Sequence, residues 1–469
     1  MVGNFMQITA GTNFTTGFYE IIAVDGNNEA TLDRTCGTAG KVNGTACLGG
    51  AYNNLDATLL NTATSSPVAG NTVYVKSGAY SQASGTTTTN VGTLASIIKV
   101  VGYVTSRSTI PYGSDRPAFT GATNGYWTFP AYWQLENLSF TGSTSNIQTG
   151  VVPAAATTTM VNCSIVNPTT TASAFATALG NYYNCQASCL NGYAIKSPQT
   201  VIGCYVYDSA TGIYFTGYDI DYATVISSII DTCKTGVNLT TTHTIDTLSR
   251  IYGNTFRGNG TALYYSTASV GNCVINNIFA DNYIGLSLPS ANTNILLACN
   301  CWNNSTISGY TDIVSSYCSK GTTDITSDPK LNGTIVTGAD GNVSATSPSN
   351  LELRAASNPF SGVATTDTVN IVAIGSGTGT TGVYAISAVN SNNSITLATA
   401  PGSNALTSIT YIIVKGKDYT LATNSPCFNN GLEPNSVNAG LTGTYNMNIG
   451  ACQTDAVTNG TTTTTNKII

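Results

Sequence analysis

A short phrase recurs along the middle of the chain at a spacing of about 23 residues. Each copy opens with a small or amide residue, continues with apolar residues at alternate positions, and is closed by Asn, Asp or Gly. Similarity at a fixed period of about 20 to 50 residues is the mark of a solenoid. At intervals of 25, 22, 19, 24, 26, 23 and 23 residues, the copies begin at Asn137, Asn162, Asn184, Gly203, Ser227, Gly253, Asn276 and Cys299.

The composition of each repeat selects the kind of solenoid. Every copy contains a short apolar strand closed by a turn residue, and the segments between copies lack helical periodicity. Charged residues make up 8% of the chain, against about 25% in ordinary soluble proteins. Like charges stacked one coil apart would repel each other, whereas Thr, Ser, Asn and Gly suit tight turns and stacked ladders. The sequence therefore predicts an all-β chain folded as a parallel β-helix.

The two ends of the chain carry a second internal similarity. Residues 15–32 align without gaps on residues 380–397 and match at 11 of 18 positions. Each copy alternates apolar and polar residues on both sides of an Asn-rich turn, which predicts a β-hairpin. A hairpin duplicated at both ends is more typical of an attachment or assembly device than of an active site.

These patterns divide the chain into five segments. Leu55, Leu59 and Leu60 fall on one face of a short predicted helix over 51–64, placed where a solenoid needs a cap on its first coil. The predicted segments are an N-terminal β-hairpin attachment module (1–50), the capped parallel β-helix (51–330), C-terminal coils (331–363), an inserted hairpin module (364–413), and a final coil with a C-terminal tail (414–469).

Several stretches resemble the pectate-lyase-like superfamily of right-handed parallel β-helices. They are the entry phrase Gly70–Tyr80, the exit phrase Ser327–Leu331, and the closing stretch Asn448–Cys452. The N-terminal hairpin and Gly37–Gly50 are also similar to the openings of uncharacterised β-helical proteins of tailed phages. This resemblance implies a right-handed helix with accessory hairpins. Because the superfamily holds both enzymes and non-catalytic virion proteins, the fold alone does not assign a function.

The cysteines are predicted to be packed thiols. The chain has 13 of them, and Cys163, Cys185, Cys204 and Cys301 fall in or beside the recurring phrase, where a small apolar side chain would face the interior. Buried free cysteine behaves as a small hydrophobic residue. Isolated disulfides and a metal site remain alternatives, but the spacings do not form the paired set of a zinc site. We expect neither a metal nor a cofactor.

A polysaccharide-cleaving site would need two carboxylates that converge on one face. Asp219 and Asp221 alternate along one predicted strand and therefore point the same way, and Asp208 lies about half a coil away. These three residues are the catalytic candidates. The alternative is that they are solvent-facing turn residues, which are common on a β-helix.

Aromatic residues near these acids are candidates for stacking on sugar rings. They are Tyr214, Tyr218 and Tyr222, although strand alternation points Tyr218 and Tyr222 away from the two acids. The single histidine, His243, lies in a Thr-rich run that favours a surface position. Asp246 is three residues later and thus on the opposite face of an extended strand.

Charge and hydropathy exclude several classes of partner. The net charge is −6, and no cluster of Lys or Arg occurs, so nucleic acid is not expected to bind. No apolar run is long enough to cross a bilayer. The segment Met1–Gln7 has neither the basic nor the apolar region of a signal peptide. These features favour a protein made in the host cytoplasm and located in a virion.

The sequence therefore predicts a structural protein of a phage virion, such as a capsid decoration, fibre or spike. Its expected partners are itself, as a homotrimer, and other virion proteins, with polysaccharide as a further candidate. One alternative is a tailspike or lyase that degrades polysaccharide, motivated by the acids near Asp219. A second is a bacterial surface adhesin, which would need an export signal.

Overall fold

The computed structural model divides the chain into two compact units, Met1–Ser65 and Ser66–Ile469. It describes residues 5–26, 29–49, 67–82, 86–87, 90–105, 108–121, 126–141, 146–149, 158–167, 173–216, 222–240, 248–266, 272–288, 295–304, 309–344, 349–415 and 417–427. The capping helix predicted over 51–64 lies outside these residues.

The first unit contains a four-stranded antiparallel sheet in the order β3-β2-β1-β4. Its strands are β1 (Phe5–Phe14), β2 (Gly17–Gly26), β3 (Glu29–Leu32) and β4 (Gly37–Gly49). Alternation along β1 and β2 turns Ile8, Tyr19 and Ile21 to one face, where all three are buried. The Tyr19 hydroxyl donates to the carbonyl oxygen of Thr15 at 2.7 Å, which fixes the entry to β2.

The second unit begins with a long series of short strands. A 3₁₀ turn at Gly113–Asp115 interrupts the series. The strands are β5 (Thr72–Lys76), β6 (Ala79–Gln82), β7 (Thr86–Thr87), β8 (Ile98–Tyr103), β9 (Ala118–Gly121), β10 (Tyr126–Phe129), β11 (Trp133–Glu136), β12 (Ser139–Thr141), β13 (Asn146–Thr149), β14 (Thr159–Val161), β15 (Ser164–Asn167), β16 (Ser173–Tyr183), β17 (Gln186–Cys189), β18 (Tyr193–Ile202), β19 (Tyr205–Tyr207), β20 (Thr211–Thr216), β21 (Tyr222–Ile226), β22 (Ile229–Asp231), β23 (Thr235–Thr240), β24 (Leu248–Tyr252), β25 (Thr255–Arg257), β26 (Thr261–Tyr265), β27 (Asn272–Ile275), β28 (Ile278–Ala280), β29 (Ile284–Ser287), β30 (Ile295–Ala298), β31 (Cys301–Asn303) and β32 (Thr311–Val314).

These strands form a parallel β-helix, as the repeat predicts. Each strand pairs in parallel with the strand one coil later, for example β19 with β22, β20 with β23 and β21 with β24. We name the three resulting faces by these strands. Face A runs from β6 through β19 and β22 to β31, face B contains β20, β23, β26, β29 and β32, and face C contains β21, β24, β27 and β30.

The first residue of every copy of the repeat has a left-handed backbone. This conformation occurs at the turn that leads into face A, and Asn and Gly adopt it at least cost. The repeat in the sequence therefore has the same period as the coils, because each coil needs a residue at this turn that tolerates a positive φ. The φ angles are 59° at Asn137, 52° at Asn162, 53° at Asn184, 65° at Gly203, 48° at Ser227, 63° at Gly253, 58° at Asn276 and 51° at Cys299.

The next residue of each copy faces the interior, and its chemistry changes along the helix. Cys163, Cys185 and Cys204 occupy this position in three successive coils and are buried free thiols, as predicted. Burial raises the pKa of Cys163 and Cys185 well above the ordinary value of a thiol. These cysteines therefore serve as small packed side chains.

Amides replace the thiols in the later coils and form a ladder. Asn254 donates through Nδ2 to Oδ1 of Asn277 at 3.0 Å, and Asn277 donates in the same way to Asn300 at 3.0 Å. A second ladder at the next turn joins Asn259, Asn282 and Asn304. Buried amides linked in this way satisfy their own polar atoms and fix the spacing of the coils.

The chain then forms a closed six-stranded antiparallel barrel. Its core contains Val369, Ile371, Tyr384, Ile386 and Tyr411. A 3₁₀ turn at Ser349–Leu351 precedes the second strand. The strands are β33 (Thr334–Val343), β34 (Glu352–Arg354), β35 (Thr368–Ser376), β36 (Gly382–Ser391), β37 (Ser394–Leu397) and β38 (Leu406–Lys415).

The barrel corrects the expected organisation of the C-terminal region. Residues 331–363 do not form further coils, because β33 is ten residues long and pairs antiparallel with β38 instead of stacking in parallel on the helix. The hairpin predicted within 364–413 is present as β36 and β37, but it is part of the barrel wall. Residue 414 continues β38 and does not begin a final coil.

Candidate functional site

A cluster of charged and phenolic side chains lies where the β-helix meets the barrel. Its first member is Asp208, which follows β19 on face A and has a φ of 47°. Thr232 and Gly258 take the same left-handed conformation after β22 and β25, with φ angles of 47° and 66°. A turn that takes a positive φ in successive coils favours Asp, Asn and Gly. The position of Asp208 thus follows from the coil geometry.

The Asp208 carboxylate is held by residues far away in the sequence. The Nζ atom of Lys417 lies 3.0 Å from Oδ2 of Asp208, and the Thr368 hydroxyl donates to Oδ1 at 2.5 Å. Lys417 also lies 4.7 Å from the centroid of the Tyr207 ring. The Asp208 side chain is 13% exposed, so both of its oxygens are committed to contacts within the chain.

A second carboxylate, Asp231, is fully buried one coil later. It accepts hydrogen bonds from the hydroxyls of Thr232 at 2.6 Å and Tyr205 at 3.4 Å. The Tyr419 hydroxyl also donates to Oδ2 of Asp231 in a very short contact. Together with Asp208 and Lys417, these residues form what we call the joint cluster, defined as Asp208, Asp231, Thr232, Tyr205, Tyr207, Thr368, Lys417 and Tyr419.

The electrostatics of the joint cluster follow from burial and from its one cation. Burial raises the pKa of the Asp231 carboxyl, and Lys417 offsets part of that rise. Burial disfavours the charge on Lys417, but Asp208 and Asp231 together outweigh this effect and raise its pKa. Burial, reinforced by the charge of Asp231, raises the pKa of Tyr205 and Tyr419 well above the ordinary range. Both phenols therefore stay neutral and act as hydrogen-bond donors.

The joint cluster contains the carboxyl groups that acid–base catalysis needs, but a substrate cannot reach them. Glycoside hydrolysis uses two carboxyl groups, one of which has a raised pKa, as Asp231 has here. Here Asp231 is completely buried, and Asp208 is occupied by Thr368 and Lys417. A substrate would have to displace the chain's own groups. In this conformation the cluster fastens the barrel to the β-helix.

An arginine extends the same contact by one coil. Arg257 is the register partner of Asp231, and its Nε donates to Oδ2 of Asp281 at 3.0 Å. Its Nη2 donates to the carbonyl oxygen of Gly333 at 2.6 Å, immediately before β33. Asp231 and Arg257 therefore hold the residues on both sides of the barrel sequence against face A.

A second candidate is a surface patch on face B that includes Tyr214. The rings of Tyr193 and Tyr214 stack with centroids 4.6 Å apart and an angle of 12° between their planes. Lys196 lies beside Tyr214 in register, and its Nζ is 5.7 Å from the centroid of the Tyr193 ring. All three side chains are partly exposed. Planar rings beside hydrogen-bond donors can contact a sugar.

The predicted site residues are placed only in part. Asp208 follows a strand of face A, while Tyr214 lies in a strand of face B. Asp219, Asp221 and Tyr218 lie outside the described residues, as does His243, and the side chain of Tyr222 is also not described. The predicted grouping of acids with aromatic residues stays a prediction.

The residues that do surround Asp208 could not be found from local patterns. Thr368 and Lys417 are 160 and 209 positions away in the sequence. The low charge of the chain offers one signal. If a lysine such as Lys417 is buried, it must pair with a carboxylate, and the chain has few carboxylates to choose from. That signal names no partner without the fold.

No protein-family model matches this chain, and no curated protein matches it either. Within the described ranges, no group of three or more His, Cys, Asp or Glu side chains is placed to hold a metal ion. No helix in the described part of the chain has the length and hydrophobicity needed to span a membrane.

Proposed function

We propose that this chain is a structural protein of a tailed-phage virion, in which the β-helix is a rigid spacer and the end modules are attachment devices. The observation that carries the proposal is that the two carboxylates of the joint cluster make structural contacts within the chain. Asp208 and Asp231 hold the barrel and leave no open carboxylate pair in the joint cluster. The likeness of Gly37–Gly50 to phage β-helical proteins supports the virion context.

The test is the composition of purified particles. We expect the chain at a fixed copy number per particle, in a multiple of three if the proposed trimer forms, as measured by quantitative mass spectrometry. Treatment with a nonspecific protease should not release it from intact particles before the other fibre or decoration proteins. Absence of the chain from the particles would contradict the proposal.

The enzymatic alternative has its own discriminating measurement. Host capsular polysaccharide incubated with the protein should show no new reducing ends and no unsaturated uronates. If activity does appear, Asp208→Asn and the double variant Asp219→Asn with Asp221→Asn distinguish the joint cluster from the predicted strand site. Cleavage lost in either variant would replace the structural proposal with a catalytic one.

The stacked tyrosines favour one additional role, the binding of a glycan on face B. Stacking against an aromatic ring contributes about 0.5 to 1.5 kcal/mol beyond the area buried. We expect Tyr214→Ala to weaken retention on immobilised host polysaccharide about tenfold. Tyr264→Ala is the matched control, because Tyr264 lies two coils further along the same register column but is not part of the stack. Equal losses in both variants would rule out the patch.

A further inference from the structure

The N-terminal sheet and four strands of the barrel are two copies of one module. Strands β2 and β3 pair Ile21 with Leu32, and β36 and β37 pair Ile386 with Leu397. The register shifts occur at the same places, after Ile21 in one copy and after Ile386 in the other. The segments 15–32 and 380–397, which match in sequence, therefore also pair their strands in the same register and have β-bulges at the same positions.

The match extends to the two strands that flank each hairpin, β1 and β4 in the first copy and β35 and β38 in the second. The sequences of these strands do not reveal it. Ile8 pairs with Gly17 on one side and Ala46 on the other. Ile371 likewise pairs with Gly382 and Tyr411. The order β3-β2-β1-β4 therefore corresponds to β37-β36-β35-β38, and the residues from Phe5 to Ile8 and from Gly17 to Glu20 have defined counterparts in the second module.

The barrel copy uses its outer face to bind the β-helix. Asn370 lies on that face, is fully buried, and donates through Nδ2 to the carbonyl oxygens of Cys233 and Gly258 at 2.9 and 3.1 Å. Thr368 on the same face bonds Asp208. Val383, the register partner of Asn370, is 5% exposed. This face therefore recognises backbone carbonyls and turn residues at the edge of face A.

The matching face of the N-terminal module carries two exposed apolar residues, one on each side of the buried Glu20. Gln7 is the counterpart of Asn370, and its register partner Phe18 is the counterpart of Val383. Phe18 is 51% exposed, and Ile22 further along the same strand is 50% exposed. Because the counterpart face in the barrel binds a β-helix, an exposed phenylalanine and an exposed isoleucine on this face indicate a contact surface of the same kind.

We propose that the outer face of the N-terminal module binds the β-helix edge of a second copy of this chain. The surface that receives the module lies on the first coils of face A, along the same edge to which the barrel binds further on. By register, Thr120 and Thr141 stand in one column with Tyr207 and Asp231, and both threonines are exposed. In this contact Gln7 donates to backbone carbonyls, as Asn370 does, and Phe18 packs beside the threonines.

The contact is head-to-tail, because one copy supplies the module and the other supplies the helix edge. Such heterologous contacts form closed rings when the rotation between copies closes, and a threefold ring is one solution.

The test uses full-length protein and measures its mass in solution by sedimentation velocity. We expect the wild-type chain to self-associate, and Phe18→Glu to weaken association at least about tenfold. Thr120→Arg combined with Thr141→Arg should do the same from the other side. Leu94→Glu is the matched control, because Leu94 is an apolar residue, 85% exposed, outside both surfaces.

Mixing the two defective variants gives the decisive result. The Phe18→Glu chain keeps an intact helix edge, and the double threonine variant keeps an intact module, so a mixture should form a one-to-one pair and nothing larger. Circular dichroism of each variant confirms that the fold is retained. A monomeric wild-type chain, unchanged association of Phe18→Glu, or a mixture that stays monomeric would overturn the proposal.

Discussion

Asp324 accepts two hydrogen bonds from Asn300 through one carboxylate oxygen, at 2.8 Å from the backbone nitrogen and 3.2 Å from Nδ2. Its other oxygen accepts from Gly321 and from the indole nitrogen of Trp302, each at 2.8 Å. The amide ladder passes its donors in one direction along the helix. It ends on Asp324, where an aspartate supplies acceptors on both oxygens and so also serves Gly321 and Trp302.

The interior of the ladder should be sensitive to loss of a single amide. Asn277 is completely buried, and its Nδ2 donates to the carbonyl oxygen of Ile251 at 2.8 Å as well as to Asn300. We expect Asn277→Ala to lower the free energy of unfolding by about 3 kcal/mol, because it leaves several buried partners unpaired. Urea titration measures the loss. Asn392→Ala at an exposed turn is the control, and equal losses in both would contradict a structural role for the ladder.

The end of the ladder gives a more selective prediction. Asp324→Asn keeps the shape of the side chain but places an NH₂ group against donors. We expect a loss of about 2 kcal/mol in urea titration, since at least one buried donor then lacks an acceptor. Asp418→Asn is the control, because Asp418 is exposed and its Oδ1 accepts from the backbone nitrogen and the hydroxyl of Thr420. A stability equal to that of wild type would mean that the carboxylate is not required.

The coil geometry could be predicted from the sequence because it is set locally. The left-handed turns at Asn137, Asn162 and Asn184 recur at the period of the repeat, and such a turn restricts the residue type at that position. The packed thiols at Cys163 and Cys185 follow from the same periodicity, since the next residue must face inwards. Each of these features depends on one coil and its immediate neighbours.

The barrel and the joint cluster could not be predicted because they depend on long-range pairing. Nothing near Lys417 identifies Asp208 as its partner. The Gly-rich stretch around Gly338 and Gly341 favours a turn between coils of the β-helix. In the structure, β33 instead continues through it and forms a β-bulge against β38. The hairpin similarity did indicate two related modules, but the flanking strands β1 and β35 share too few residues to be matched without the register.

The contact between barrel and helix can be tested with two glycines that have the same backbone conformation. A Cβ atom on Gly258 would lie 2.5 Å from a methyl group of Val414 in the barrel. On Gly253, with a nearly equal φ, the nearest atom would be 3.8 Å away, on Ser227. Gly253→Ala therefore measures backbone strain alone, and Gly258→Ala adds the clash.

We expect Gly258→Ala to be less stable than Gly253→Ala by about 2 kcal/mol, the usual cost of overpacking. Limited proteolysis should also cleave the Gly258→Ala variant faster between the β-helix and the barrel. Urea titration of both variants provides the difference. Equal stabilities and equal cleavage rates would show that Val414 does not press on this turn.

The joint cluster should make the protein unstable in alkali. Tyr419 and Lys417 have pKa values above their ordinary values of 10.0 and 10.5, so the folded chain keeps protons that the unfolded chain releases. Their contribution to stability is fully present below those ordinary values and is lost as pH rises towards the folded values. The free energy of unfolding should therefore fall above about pH 10, by at most about 1.4 kcal/mol per pH unit for each group.

The variant Tyr419→Phe separates this effect from general alkaline denaturation. It removes one of the retained protons, so the fall above about pH 10 should become shallower by up to about 1.4 kcal/mol per pH unit, even though the lost bond to Asp231 lowers stability at every pH. Urea titrations from pH 8 to pH 11 measure the slope. An unchanged slope in this variant would mean that burial and Asp231 do not raise the pKa of the Tyr419 phenol in the folded chain.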